Sequence, residues 1–154
     1  MTKADRARAL FLEGYNCAQS VAGAFAGEMG LTLPQAVRLA SALGGGVGRL
    51  RETCGTVVAM GLVYGVLRGY STPGTHEEKT ATYAGMQRMG LAFKARAGSL
   101  NCRVLLGLPE DGTAPIPQAG ARTPEYYASR PCPDLVALAA EILEQELARP
   151  AEAP

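Results

Sequence analysis

Apolar positions recur along this chain at helical spacing. No stretch alternates apolar and polar residues as a half-buried strand would, and alanine, leucine, arginine and glutamate are abundant. The pattern predicts a first helix from Lys3 to Met29, with Leu10, Gly14, Cys17, Val21 and Phe25 on one face. Thr2 and Asp5 suit its first turn, where both can serve unpaired backbone donors, and Gly30 ends it. A short second helix is predicted from after Thr32 to Leu43, with Pro34 in its first turn.

The third helix, Thr53 to Arg68, has no polar face and is expected to be central and buried. Gly61 and Gly65 lie inside it, where each costs about 1 kcal/mol relative to alanine. Gly14, Ala18, Ala22 and Ala26 form a stripe of small residues on the first helix, so these two helices are expected to pack closely. The fourth helix opens at "THEE", where Thr75 and Glu78 have capping-box spacing. Tyr83, Met86, Gly90 and Phe93 are its predicted inner face, and it ends near Gly98. Ser99 can cap a short fifth helix, "LNCRVLL". Residues 108–131 read as a long proline- and glycine-rich connection with room for one turn at "PEYYAS". The last helix is predicted from Pro133 to about Ala148, with Leu135, Leu138, Ile142 and Leu143 inward. Residues 1–2 and 149–154 are expected to fray. With no repeat and no domain boundary, residues 1–154 read as an all-α, single-domain antiparallel helical bundle of five to six helices.

Composition narrows the function. A chain of 154 residues, 47% apolar and 19% charged, can bury a core and is unlike a disordered one. A net charge of +1 gives no electrostatic reason to expect nucleic acid as a partner. The longest uncharged apolar run, Thr53 to Leu67, falls short of the roughly 20 residues that span a bilayer, so no membrane insertion is expected. No apolar leader follows Met1, and the expected location is the cytoplasm, where thiols stay reduced unless redox-active or metal-bound. The four cysteines, Cys17, Cys54, Cys102 and Cys132, therefore call for something other than a static disulfide framework.

No CxxC pair is present, so zinc-ribbon and thioredoxin signatures are missing. Position relative to the helices says more than spacing. Cys54 and Cys102 fall in predicted first turns, and Cys132 precedes Pro133 at a predicted cap. Helix dipoles and unpaired N–H groups there favour negative charge, which predicts lowered thiol pKa values and makes Cys54 the expected most reactive thiol. Arg49, Arg51, Arg103 and Arg130 lie close in sequence to the same three cysteines. Cys17 reads as mid-helix on an apolar face, where a buried cysteine behaves as a small hydrophobe.

The stretch "GGGVGRLRETCG" precedes the apolar third helix. The amides of Gly44, Gly45, Gly46 and Gly48, with Arg49 and Arg51, are expected to form an anion-binding concavity beside Cys54. A tight turn needing positive φ is the other reading of these glycines. His76, the single histidine, reads as a surface residue, and Tyr126 and Tyr127 as a packed loop turn or a cover over a site.

"GYNCAQSV", then "GGGVGRLRETCG", then "NCRVLL", then a cysteine before the last helix make this chain resemble the C_GCAxxG_C_C family, small proteins named for redox activity from four shared cysteines. The likeness covers roughly Phe11 to Leu143 and gives all four cysteines a place. The family's CGAxxG reads here as Cys-Gly-Thr-Val-Val-Ala, with Thr56 and Ala59 at the altered positions. The resemblance implies electron or thiol chemistry.

The expected function is a redox protein, a thiol oxidoreductase or electron carrier, whose four cysteines meet at one site. They would either ligate an iron–sulfur cluster or shuttle between dithiol and disulfide, with Cys54 attacking and Cys17 or another resolving. Its partner would be a redox protein or a small thiol or electron donor, and an exposed apolar helix face could support a homodimer. The alternatives are a zinc ion tying the helices together and a non-catalytic helical binding module with buried cysteines.

Overall fold

The computed structural model describes residues 1–151. Among them are α1 (Lys3–Leu12), α2 (Cys17–Ala24), α3 (Leu33–Leu39), α4 (Gly55–Arg68), α5 (His76–Ala97), α6 (Cys102–Leu105), α7 (Pro124–Ser129) and α8 (Cys132–Ala148), with a 3-10 turn at Ser41–Leu43. The described chain is all-helical, and its one extended pairing is an isolated antiparallel bridge between Thr53 and Asn101. Eight helices replace the expected five to six for two local reasons. The first predicted helix is two helices, and the long connection holds α7.

The break in the first helix has a clear cause. Gly14 adopts φ 111°, a conformation open to glycine, and Asn16 then starts a new helix. Its side chain accepts from the Gln19 backbone, and the Gln19 side chain accepts from the Asn16 backbone, a complete capping box. "NCAQ" carries that signature, but continuous apolar spacing masked it. Thr2 caps α1 in the same reciprocal way with Asp5. Of the expected frayed tail, residues 152–154 lie outside the described residues, while the Arg149 carbonyl accepts from Arg68.

Helices α2, α4 and α8 pack on one another, with α1 against α2 and α8, α3 against α2, and α5 against α4 and α8. Phe11, Phe25, Met60, Val63, Met89, Phe93, Val136 and Leu143 are fully buried between them. The close approach of α2 to α4 occurs at a different glycine from those expected. A Cβ on Gly61 would meet Met86 of α5, and one on Gly65 would meet nothing within 4 Å. Gly55 is the contact: a Cβ there would lie 2.7 Å from the Cys17 sulfur and 3.4 Å from the Ala18 Cβ. Helix α4 also emerges at its C-terminal end, where Gly65 and Val66 are exposed. Of the predicted inner face of α5, Gly90 and Phe93 are buried and Met86 packs against the core. Gly85 and Met89 are buried as well and Tyr83 is 62% exposed, because α5 meets α4 where Tyr64 lies over Gly85. No helix among the described residues is long and apolar enough to cross a membrane.

Candidate functional site

All four cysteines stand at helix starts. Cys17 is the first residue of α2, Cys54 the N-cap of α4, Cys102 the first residue of α6 and Cys132 the first residue of α8. Cys17 is therefore not mid-helix as the periodicity suggested. The split of the first helix moves it to the same kind of position as the other three.

Those four helix starts meet. Cys17, Cys54, Cys102 and Cys132 all line one cavity of about 60 Å³, together with Phe11, Thr56, Leu105, Leu106 and Leu135. Such a space holds a few water-sized groups. Two backbone hydrogen bonds draw Cys54 and Cys102 to it. The Cys54 amide donates to the Leu100 carbonyl and the Cys102 amide to the Glu52 carbonyl, each at 2.7 Å, on either side of the Thr53–Asn101 bridge. Gly46 makes room for this pairing, since a Cβ on it would lie 2.6 Å from the Cys102 Cβ.

The glycine-rich stretch takes an uncommon path. Gly45, Gly46, Val47, Gly48 and Arg49 run consecutively at φ 67°, 71°, 65°, 59° and 62°, and Arg51 follows at 59°. Glycine enters this left-handed region freely, whereas each non-glycine residue costs roughly 1–2 kcal/mol. Most of the amides are used within the turn, with Val47, Arg49, Arg51 and Glu52 donating to the carbonyls of Leu43, Gly44, Gly45 and Gly46. The Gly45 amide favours negative charge on the Cys17 sulfur. Gly45 and Arg51 line the cysteine cavity, whereas Gly44, Gly48 and Arg49 line a groove of about 300 Å³ outside it. Gly46 backs onto Cys102.

The predicted activation of Cys54 needs correction. Burial pushes its thiol up, against the opposing pull of the Thr56 hydroxyl at 3.1 Å and the Thr56 and Val57 amides. Burial likewise raises Cys17 to about 12 and Cys132 to about 11, and the neighbouring Cys54 adds to both. Withdrawal from water outweighs the helix ends because a charged sulfur loses more solvation than two or three amides restore. Mutual repulsion among the sulfurs makes each further ionisation harder still. Cys102 has a different setting. Arg51 aims Nη1 at its sulfur from 3.6 Å, a contact that strengthens once the sulfur carries charge. Helix α6 is a single turn, so the guanidinium rather than a helix dipole is the cation there.

Sequence reading missed part of the cavity wall. Arg122 donates to the carbonyls of Phe11 and Tyr15 and stacks on Phe11 and Tyr126, closing one side. Tyr126 lies between Arg122 and Arg130, so it does cover the site, while Tyr127 packs edge-on against Phe11. Arg122 carries little local signal, because the carbonyls it bonds are more than a hundred residues away in the chain. Arg103 faces away from the cavity and donates to the Pro109 carbonyl. His76 is exposed, as expected. The four sulfurs are free thiols, and as placed no three His, Cys, Asp or Glu side chains among the described residues form a metal-ligand group. Gathering them around zinc or a cluster would require the sulfurs to move.

The family model described as "Putative redox-active protein (C_GCAxxG_C_C)" matches residues 15–146. No curated protein and no solved structure matches the chain.

Proposed function

This chain belongs to the C_GCAxxG_C_C family, and from that premise we propose that it is a thiol-based redox protein working by dithiol–disulfide exchange. The observation that carries this reading is the single cavity lined by Cys17, Cys54, Cys102 and Cys132. Thiols that share a cavity can exchange one sulfur bond for another with little backbone movement.

Cys102 is the attacking group in this reading, because Arg51 aims Nη1 at its sulfur from 3.6 Å. The thiolate attacks one sulfur of a disulfide carried by a partner protein or small molecule. The partner's disulfide breaks, a mixed disulfide forms, and the departing sulfur takes a proton. Cys54 then loses its proton and attacks the Cys102 sulfur, releasing the partner's second thiolate, which that proton neutralises. Two electrons and two protons have passed to the partner, and Cys54 and Cys102 are joined. The paired segments that carry these two residues to one cavity support Cys54 as the resolving thiol. Burial raises the Cys17 and Cys132 thiols on the same cavity, so neither is the attacking group in this reading.

The test is oxidation of the reduced protein by bis(2-hydroxyethyl) disulfide, followed by peptide mapping. Two thiols should disappear as a disulfide forms among the four cysteines. Cys54→Ser should stop at a mixed disulfide on Cys102. Arg51→Gln should slow the first step by about tenfold, as expected when the attacking sulfur loses its charge-assisted contact. Four thiols that persist under oxidant would sink the proposal and favour the binding-module reading. Four soft sulfur donors on one cavity also favour a cluster or zinc as the second reading. Stoichiometric iron and sulfide after anaerobic isolation, or zinc whose chelation unfolds the protein, would put it first.

A further inference from the structure

We propose that the groove outside the cysteine cavity is a binding site for a small molecule bearing an oxyanion group, a carboxylate, phosphate or sulfate, held by Arg49, Arg51 and Arg130. Arg51 and Arg130 line the cysteine cavity, the groove of about 300 Å³ and a neighbouring one of about 310 Å³, and Arg49 lines both grooves. These cations are therefore the wall between the thiols and solvent. Like charges gathered at one place repel, and such clusters are ordinarily relieved by carboxylates. Here no Asp or Glu among the described residues forms an ion pair with Arg49, Arg51, Arg122 or Arg130. Asp111 is the one acidic residue lining either groove.

Two further observations point to an anion as the ligand. The Arg49 Nε is buried and has no hydrogen-bond partner, which is a costly state for a cationic donor. The backbone that delivers this side chain is itself strained, with Val47, Arg49 and Arg51 all in the left-handed region. A turn of this kind aims Arg49 and Arg51 toward one groove, and an oxyanion accepting from them would satisfy the orphan donor and relieve the repulsion. Guanidinium forks match planar carboxylates and tetrahedral phosphates alike, which sets the ligand class. The site lies over Cys102 through Arg51, so a substrate held there by its anionic group would present its other end to the thiols. That last step rests on the redox reading, whereas anion binding does not.

The experiment is titration of the reduced full-length protein at low ionic strength with inorganic phosphate, sulfate and succinate, followed by calorimetry and by the arginine Nε–H resonances. Saturable binding of at least one anion is expected, with the Arg49 Nε–H shifted and affinity suppressed by added salt. Arg49→Gln and Arg130→Gln, checked for retained helicity, should each weaken it by about tenfold or more. No saturable binding of any of the three anions, or binding indifferent to both arginine substitutions, would overturn the proposal whatever the thiols do. If the substitutions unfold the protein, an unmoved Arg49 Nε–H in the unaltered chain would overturn it equally.

Discussion

Gly55→Ala is the sharpest test of how the cavity is assembled. A methyl group at this position would lie 2.7 Å from the Cys17 sulfur, 2.7 Å from the Leu43 carbonyl oxygen and 3.4 Å from the Ala18 Cβ. The first two distances are far inside van der Waals contact. One of the atoms met belongs to backbone that leads into the left-handed turn, so it cannot simply rotate away. Overpacking of this kind costs about 1–3 kcal/mol. The opposing gain from helix propensity is about 1 kcal/mol at most in a helix interior, and less at the first helical residue, where Gly55 sits. The net expectation is a loss of about 0.5–2.5 kcal/mol, or a melting temperature lower by about 1–10 °C for a chain of this size. The companion substitution is Gly65→Ala, on the same helix, where a Cβ would meet nothing within 4 Å. It should be neutral or stabilising by up to about 1 kcal/mol. Urea denaturation followed by circular dichroism reads both, and alkylation of Cys17 in Gly55→Ala reports whether α2 has moved from α4. A neutral Gly55→Ala, or a destabilising Gly65→Ala, would refute the assignment of the close approach to Gly55.

Other expectations follow from the same geometry. Cys17 and Cys132 sit at about 12 and about 11 against an ordinary 9.0, so the unfolded chain loses these protons first as pH rises. Their contribution to stability is complete below about pH 9 and disappears as pH climbs toward their folded values, by at most about 1.4 kcal/mol per unit for each thiol. Urea midpoints between pH 8 and pH 11 should fall, and fall less in Cys17→Ser; a flat or rising profile would contradict the burial of these sulfurs. Asn16→Ala removes the cap of α2 and the bond from the Asn16 amide to the Ser41 carbonyl, and should cost about 1 kcal/mol in the same denaturation assay. Its alkylation pattern should change at Cys17, the residue the cap positions, before it changes at Cys132.

Much of the fold was legible in the residues themselves. Apolar periodicity and turn residues placed α3, α4, α5 and α8 to within a few positions, because those signals act over one or two helical turns. The four helix-start cysteines were three-quarters visible for the same reason. Cys17 was misread because continuous apolar spacing spoke louder than the Asn16–Gln19 cap that interrupts it.

The remainder depended on distance in space. Which glycine takes the close contact, Gly55 and not Gly61, was settled by how α2 lies on α4, and a list of small residues does not contain a crossing point. Burial rather than helix ends governs the Cys54 thiol, and burial is a property of everything packed around it. Arg122 closes the cavity on carbonyls more than a hundred residues away. The sequence alone determined that helices form and that sulfur sits at their starts, because capping and periodicity are local. Only the tertiary structure brought those starts to one cavity, since no local interaction spans the loops between them.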